Sequence, residues 1–531
     1  MLTVSGVRLG QLFTDGRRVM WTESRPHNAG RTSVVEYGPD GELRDLTPAD
    51  FDARTRAHEY GGGAVAVTGD IVIASRFEDQ RVYRLDLDSP TPITPEPAIE
   101  AGDRYADFVI HDGRVYAVRE RHHADAEPTS SLVSFPVDGS VEPRVIAQGS
   151  DFYSTPRVSP DGSTLLWLQW SHPNMPWDGT ELWVAALDEE AVSEPEHVAG
   201  GSDESVFQPD WSPAGELHYL SDRTGWWNLY RIADGEPVDV YPAEADFGSP
   251  QWTFGARRYA FLPGGTIACI YDDAGHQHLG ELNDRLARVG LGRNAIAPTI
   301  AVAGDTIWVV AGSGTGPLAV VALDTPTGVP TEIRRAHEVE IETNAVSRPR
   351  PIEFPTSGGA IAHAFWYAPT NPDFVGPDGE HPPLIVVSHG GPTSQAMPVL
   401  DLEIQFWTSR GFGVVDVNYR GSSGFGRAYR EALKGQWGIV DTDDCIAAAR
   451  YLADGGHVDP ERLAIRGGSA GGYTTLCALT FHDVFAAGAS YFGVADCALL
   501  AEETHKFESR YLDSLIGPYP EREDLYRQRS P

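Results

Sequence analysis

From the start of the chain to about residue 350, apolar positions come in short runs that alternate with polar ones or form brief blocks broken by Gly, Pro, Asp and Ser. No long stretch keeps the 3.6-residue period of an amphipathic helix, so the pattern predicts an all-β region. Hairpin signals recur at Gly16, Gly69, Gly113, Gly162, Gly215, Gly255 and Gly304, at intervals of 40–53 residues, among strand-like text such as Ile71–Ser75, VYAVRE, TLLWLQW, LHYLSD, RYAFL and TIWVV. A degenerate repeat of this period is what four-stranded propeller blades produce, and seven marks predict seven blades. Pro39-Asp40-Gly41 is an additional turn, assigned to a second hairpin of the first blade. One or two large β-sandwiches are the alternative.

Near residue 350 the pattern changes. Two strand-like runs in IEFPTSGGAIAHAFWYAPT and a Pro/Gly-rich bridge lead to the apolar run Leu384–Val387, which ends at His389-Gly390-Gly391-Pro392. A second apolar run, Gly413–Val417, precedes a predicted helix from Asp441 to Leu452, and a third, Leu463–Arg466, enters Gly467-Gly468-Ser469-Ala470-Gly471-Gly472 and a further helix. Strands alternating with helices at this spacing predict a mostly parallel sheet covered on both faces. The expected organisation is a seven-bladed β-propeller over residues 1–350 and an α/β domain over residues 351–531.

Charge narrows the partners. The 531 residues include 76 acidic and 41 basic side chains, a net charge of -35 that disfavours nucleic acid and anionic membranes. No apolar run is long enough to cross a bilayer, and MLTVSGVRLG lacks the charged start and apolar core of a secretory leader. Only two of the basic residues are lysines, Lys434 and Lys506. Cys269, Cys445, Cys477 and Cys497 are widely spaced in apolar text, which predicts buried free thiols and a cytoplasmic location.

The chemistry concentrates around Ser469. In Gly467-Gly468-Ser469-Ala470-Gly471 a serine stands between small residues where a strand turns sharply into a helix, the G-x-S-x-G nucleophile elbow. Acyl transfer needs backbone N–H groups aimed at the developing oxyanion, and the elbow supplies that of Ala470 while the His-Gly-Gly loop supplies that of Gly391. His389 is expected to brace its loop. A base and an orienting carboxylate should follow the serine, but the candidates His482, His505, Asp483, Asp496, Asp513 and Asp524 follow no further recognisable strand. The acid and base are therefore expected outside this sequence, with the α/β domain truncated after the nucleophile region.

Arg420, after the second apolar strand, is a candidate for a substrate carboxylate or carbonyl, or else a loop salt bridge. Phe507 and Tyr511, four apart on a predicted helix, are candidates for an apolar substrate pocket or else a core stripe. Trp170, Trp177, Trp226 and Trp227 are expected to pack between blades. No metal-ligand spacing and no cofactor motif is present, and Asp441, Asp443 and Asp444 are expected as acids at a helix start.

The segments HGGPTS, NYRGSSGFG, GGSAGGY and KFESRYLDSLIGPYPE, with WTESRP, HEYGGG, WSHPNMPWDGTELWVA and DFGSPQW in the first region, resemble the prolyl oligopeptidase family of serine peptidases, and within it the acylaminoacyl-peptidase and dipeptidyl-aminopeptidase-like branch. The resemblance implies a seven-bladed propeller capping an α/β-hydrolase domain, a nucleophile at Ser469, oxyanion donors at Ala470 and Gly391, and hydrolysis of short peptides. It implies that the catalytic Asp and His lie in a C-terminal segment beyond Pro531, in the same or a second chain. Exopeptidases of this type select a free amino terminus with propeller carboxylates, for which Glu120 and Glu181 are the candidates, solvated surface being the alternative for both. A carboxylesterase of the same fold, and a non-catalytic propeller binding protein if the chain ends at Pro531, are the competing functions. Homo-oligomerisation stays open.

Overall fold

The computed structural model describes residues 6–187 and 192–531; residues 1–5, the start of the segment read for a leader, lie outside the described residues. Seven four-stranded antiparallel sheets follow one another along residues 8–45, 65–92, 103–148, 152–200, 206–241, 259–288 and 295–335. Each blade is contiguous in sequence. The ring therefore closes by contact between its first and seventh blades, where the Val7 amide donates to Ala336 O at 2.7 Å and buried Glu23 pairs with Arg334 at 2.8 Å.

Six of the seven turn signals fall between the first two strands of their blades, and Pro39-Asp40-Gly41 joins the last two strands of the first. Gly255 does not. It lies in the connection before the sixth blade, whose first strand, Tyr259–Phe261, has only three residues; the corresponding turn is Pro263-Gly264-Gly265. Two glycine turns flanking so short a strand are indistinguishable by composition.

The innermost strands of five blades carry register shifts, between Leu9 and Leu12 in the first and between Phe207 and Asp210 in the fifth among them. These bulges turn polar side chains toward an axial cavity of about 500 Å³ bordered by all seven blades. Inside it Asp107 meets Arg157 at 3.5 Å and Asp210 pairs with Arg257.

The second region builds one six-stranded sheet. Its strands are β1 (Arg350–Pro355), β2 (Ile361–Tyr367), β3 (Leu384–Ser388), β4 (Gly413–Asn418), β5 (Leu463–Gly468) and β6 (Ala487–Tyr491), in the order β1-β2-β4-β3-β5-β6. The last four are parallel. The helices are α1 (Leu402–Thr408), α2 (Gly426–Glu431), α3 (Val440–Asp454), α4 (Ala470–Phe481), α5 (Cys497–Glu503), α6 (Tyr511–Leu515) and α7 (Glu523–Arg529). Strand β6 was not legible because Ala-Gly-Ala-Ser carries little β-type patterning. All five of its residues are exposed at the sheet edge, close in sequence to the exposed Leu479, Phe481 and Phe492.

The two regions share one hydrophobic cluster. Phe152, Trp170, Met175, Trp177 and Trp227 of the propeller pack with Ala470, Tyr473, Phe507 and Tyr511. Trp226 faces Gly426, so all four tryptophans expected between blades line the seam instead, because they stand at strand ends and in loops on the propeller face turned toward the sheet domain. Trp167, mid-strand, packs between the third and fourth blades, and Trp21 and Trp308 pack between the first and seventh. Charge brackets the seam: Arg427 and Arg430 converge on Asp222 at 2.8 and 2.5 Å, and Lys434 reaches Asp178 at 3.0 Å. Lys506 Nζ donates to Asp151 O at 2.9 Å. Both lysines of the chain thus sit at this boundary.

Among the described residues no helix is long and apolar enough to cross a membrane. The four cysteines are buried free thiols.

Candidate active site

Ser469 follows β5 directly and precedes α4, with φ 55° and ψ -120°. This left-handed conformation is costly for a residue with a side chain, and it presents the serine at the C-terminal end of a parallel strand, where ligands bind in open α/β sheets. The backbone is held on both sides: Ser469 N–H donates to Tyr491 O, and Ser469 O accepts from Tyr473 N–H, each at 3.0 Å. The residue is exposed while Ala470 and Tyr473 are buried. Small neighbours are required here, since a Cβ on Gly471 would lie 2.0 Å from Ser388 O.

Because β3 pairs with β5 at Ser388 and Gly467, the His389–Pro392 loop emerges beside the serine. A methyl on Gly390 would stand 3.6 Å from Ser469 Cβ. The Ala470 N–H, first in α4, has no acceptor within its helix, and no acceptor takes the Gly391 N–H among the described residues. Both donors are free to meet a developing oxyanion.

His389 is committed elsewhere. Its ring stacks on Tyr419 at 4.3 Å; Nδ1–H donates to Gly390 O and Nε2 accepts from the Ser422 hydroxyl, both at 2.8 Å. Burial pushes its pKa down to about 4, so the ring is neutral near pH 7 and braces the loop. His482 caps the far end of α4, about 18 Å from Ser469 along a helix of 12 residues, and is exposed. His505 lies 3.6 Å from Glu508. Asp496 does follow a further strand, β6, but its carboxylate caps α5 through the amides of Ala498 and Leu499. Among the described residues no hydrogen bond reaches Ser469 Oγ.

Glu120 is not solvated propeller surface. It is 4% exposed, with its carboxylate 2.7 Å from His122 Nε2 and 3.0 Å from the donating His58 N–H. Burial raises its pKa, but the His122 hydrogen bond, buried His58 and Arg104 outweigh this and hold it below the usual carboxylate range. With Glu59, Glu127, Lys506 and Phe507 it lines a cavity of about 250 Å³ in the seam. Glu181 accepts from the Trp183 indole at 2.9 Å.

Arg420 holds buried Asp444 of α3 through its side chain and backbone N–H and also donates to Ser357 after β1, so its donors already have protein acceptors. Phe507 and Tyr511 do not share a helix: α5 ends at Glu503, Phe507 occupies a 3-10 turn, and Tyr511 opens α6. Both are buried in the seam. Asp441 and Asp444 are more than helix-start acids, because Asp441 accepts from Gly438 N–H and the Thr474 hydroxyl, each at 2.6 Å, tying α3 to α4.

An exposed serine in a left-handed turn, flanked by two free amides and roofed by a propeller, defines a propeller-capped α/β-hydrolase. The sequence profile of the prolyl oligopeptidase family matches residues 398–531. A puromycin-hydrolysing peptidase from Mycobacterium tuberculosis is 42% identical, with a TM-score of 0.96 over 100% of this chain and 84% of that one. A puromycin hydrolase crystal structure is 38% identical, with a TM-score of 0.94 over 98% of this chain and 83% of that one. The chain belongs to the prolyl oligopeptidase family. Dipeptidyl aminopeptidase BIII from Pseudoxanthomonas mexicana is 30% identical over 216 residues, a match spanning 40% of this chain and 31% of that protein.

The burial of the candidate Glu120 in a pocket and the role of the Trp252 indole escaped direct reading of the residues. The signal that could have found them is the text carrying the family resemblance: HEYGGG, whose His58 amide meets Glu120, and DFGSPQW, which contains Trp252.

Proposed function

We propose that the protein is a serine peptidase releasing residues from the amino end of short peptides through an acyl-enzyme on Ser469. The observation that carries this reading is the left-handed Ser469 beside the unpaired amides of Ala470 and Gly391. Ser469 Oγ attacks the scissile carbonyl, the two amides receive the oxyanion, and water then releases the acyl group. The histidine that takes and returns the proton, and its carboxylate, are assigned to polypeptide outside residues 1–531. Two observations support that assignment: the uncovered edge at β6, and solved relatives of which this chain spans 84% and 83%.

Glu120, ionised and set in an acid-rich seam cavity, suits a substrate ammonium group. The puromycin hydrolysis named for the two solved relatives fits the same reading. Buried free thiols favour a reducing, cytoplasmic setting.

A serine-directed phosphonate is expected to label the whole protein at one site, and Ser469→Ala to abolish both labelling and turnover of aminoacyl p-nitroanilides. Labelling that survives in Ser469→Ala rules the reading out. Glu120→Gln should narrow the preference for free-amino over N-acetylated substrates; an unchanged preference removes Glu120 from substrate recognition.

A further inference from the structure

The loop that carries Gly391 is fastened from the propeller side. Trp252, in the connection between the fifth and sixth blades, donates its indole N–H to Thr393 O at 2.7 Å. The Thr393 hydroxyl meets the Tyr511 hydroxyl at 2.6 Å, and the Trp252 ring packs against Tyr511 and Trp177 with centroids 5.9 and 4.4 Å away. Two residues further, Gln395 Nε2 donates to Asp272 Oδ1 at 2.9 Å. That carboxylate is itself fixed by Gln277 Nε2 at 2.6 Å and paired with buried Arg258. The sheet domain contributes its own ties, Ser423 N–H to Ser394 O at 2.9 Å and Ala396 N–H to Asn418 Oδ1 at 2.8 Å.

Gly391 has φ 126° and no side chain to lock it, so the direction of its N–H is set by the residues that follow. A donor stabilises an oxyanion only when it is aimed beforehand, and small misalignments weaken it steeply. We propose that Trp252 is a positioning residue for catalysis: through Thr393 it fixes the Gly391 amide, so that the oxyanion hole is complete only while the propeller is seated on the sheet domain. This rests on the reading of Gly391 as an oxyanion donor. Substrate binding and oxyanion stabilisation then separate, because the indole acts on the loop through Thr393 O.

The test compares Trp252→Phe, which keeps an aromatic ring but loses the indole N–H and part of the ring's bulk, with Tyr60→Phe, which loses another cross-seam hydrogen bond, to Glu508 at 2.7 Å, without touching the loop. Both are measured in the whole protein on an aminoacyl p-nitroanilide and against a peptide boronate that forms a tetrahedral adduct. For Trp252→Phe, kcat should fall about 10-fold, less than for outright loss of a donor, with KM within about twofold and boronate affinity lowered in proportion. Tyr60→Phe should match the wild type. Unchanged kcat and boronate affinity in Trp252→Phe, or equal losses in both variants, overturn the proposal. Should Trp252→Phe not fold, Gln395→Met must show the same split between kcat and KM, and a normal kcat there overturns it. A wild-type protein that fails to react with the phosphonate is a different failure, that of the peptidase reading, and takes this proposal with it.

Discussion

Asp416 occupies the middle of β4 opposite Phe365 on one side and Val387 on the other, and among the described residues its carboxylate has no hydrogen-bond donor. Partial burial, with Asp401 nearby, raises its pKa to about 7. The folded protein therefore holds a proton that the unfolded chain releases near pH 4, and stability falls as pH rises from about 4 to about 7, levelling above that. Asp416→Asn should remove this dependence. Its melting temperature is expected to exceed the wild type's by more at pH 8 than at pH 5, and equal differences at the two values would refute the assignment. Residues differ in how openly they announce such roles. Ser469 was legible because small neighbours, a strand and a helix converge on it in sequence. Glu120 was legible as a candidate carboxylate but its burial was not, because that comes from His58, 62 positions away, and from Phe507 across the seam. Arg420 left two readings open until Asp444, 24 residues on, was seen to take its donors.

Among the elements, α2 is short but carries much of the polar attachment between the two regions. Arg427 and Arg430 share one fully buried carboxylate, Asp222, whose pKa is raised by burial despite both guanidinium groups. Removing a single partner from such a site leaves buried charge uncompensated, so Asp222→Ala should cost about 3–5 kcal/mol. Arg427→Ala should cost less, since Asp222 keeps Arg430. Urea unfolding of both variants checks the order, and equal losses would show that the two arginines do not share the load. Element types followed from periodicity where segments were long, as in α3, and failed where they were short. The stretch 499–517 reads as helix-like, yet Thr504 and His505 adopt extended backbone and split it. The same shortness hid β6 and misplaced the sixth blade's turn.

At the level of the whole molecule, the blade count was legible because each blade is local in sequence and repeats its turns. The seam was not, since its contacts join positions as distant as Tyr60 and Glu508, and no periodicity reports on pairings of that kind. A composition that looked uninformative acquires a use here. Lys434 and Lys506 are the chain's only lysines, and their side chains are 38% and 7% exposed at the seam. Within residues 1–531 an amine-directed acylating reagent therefore meets two lysines, one more open and one shielded. Their relative rates of modification, followed by peptide mass, form a built-in gauge of domain separation. Lys434 should react promptly, and Lys506 only as often as the propeller lifts, with its rate rising in Asp222→Ala and falling when a bound inhibitor holds the two halves together. Equal reactivity of the two lysines in the resting protein would mean that the halves part freely.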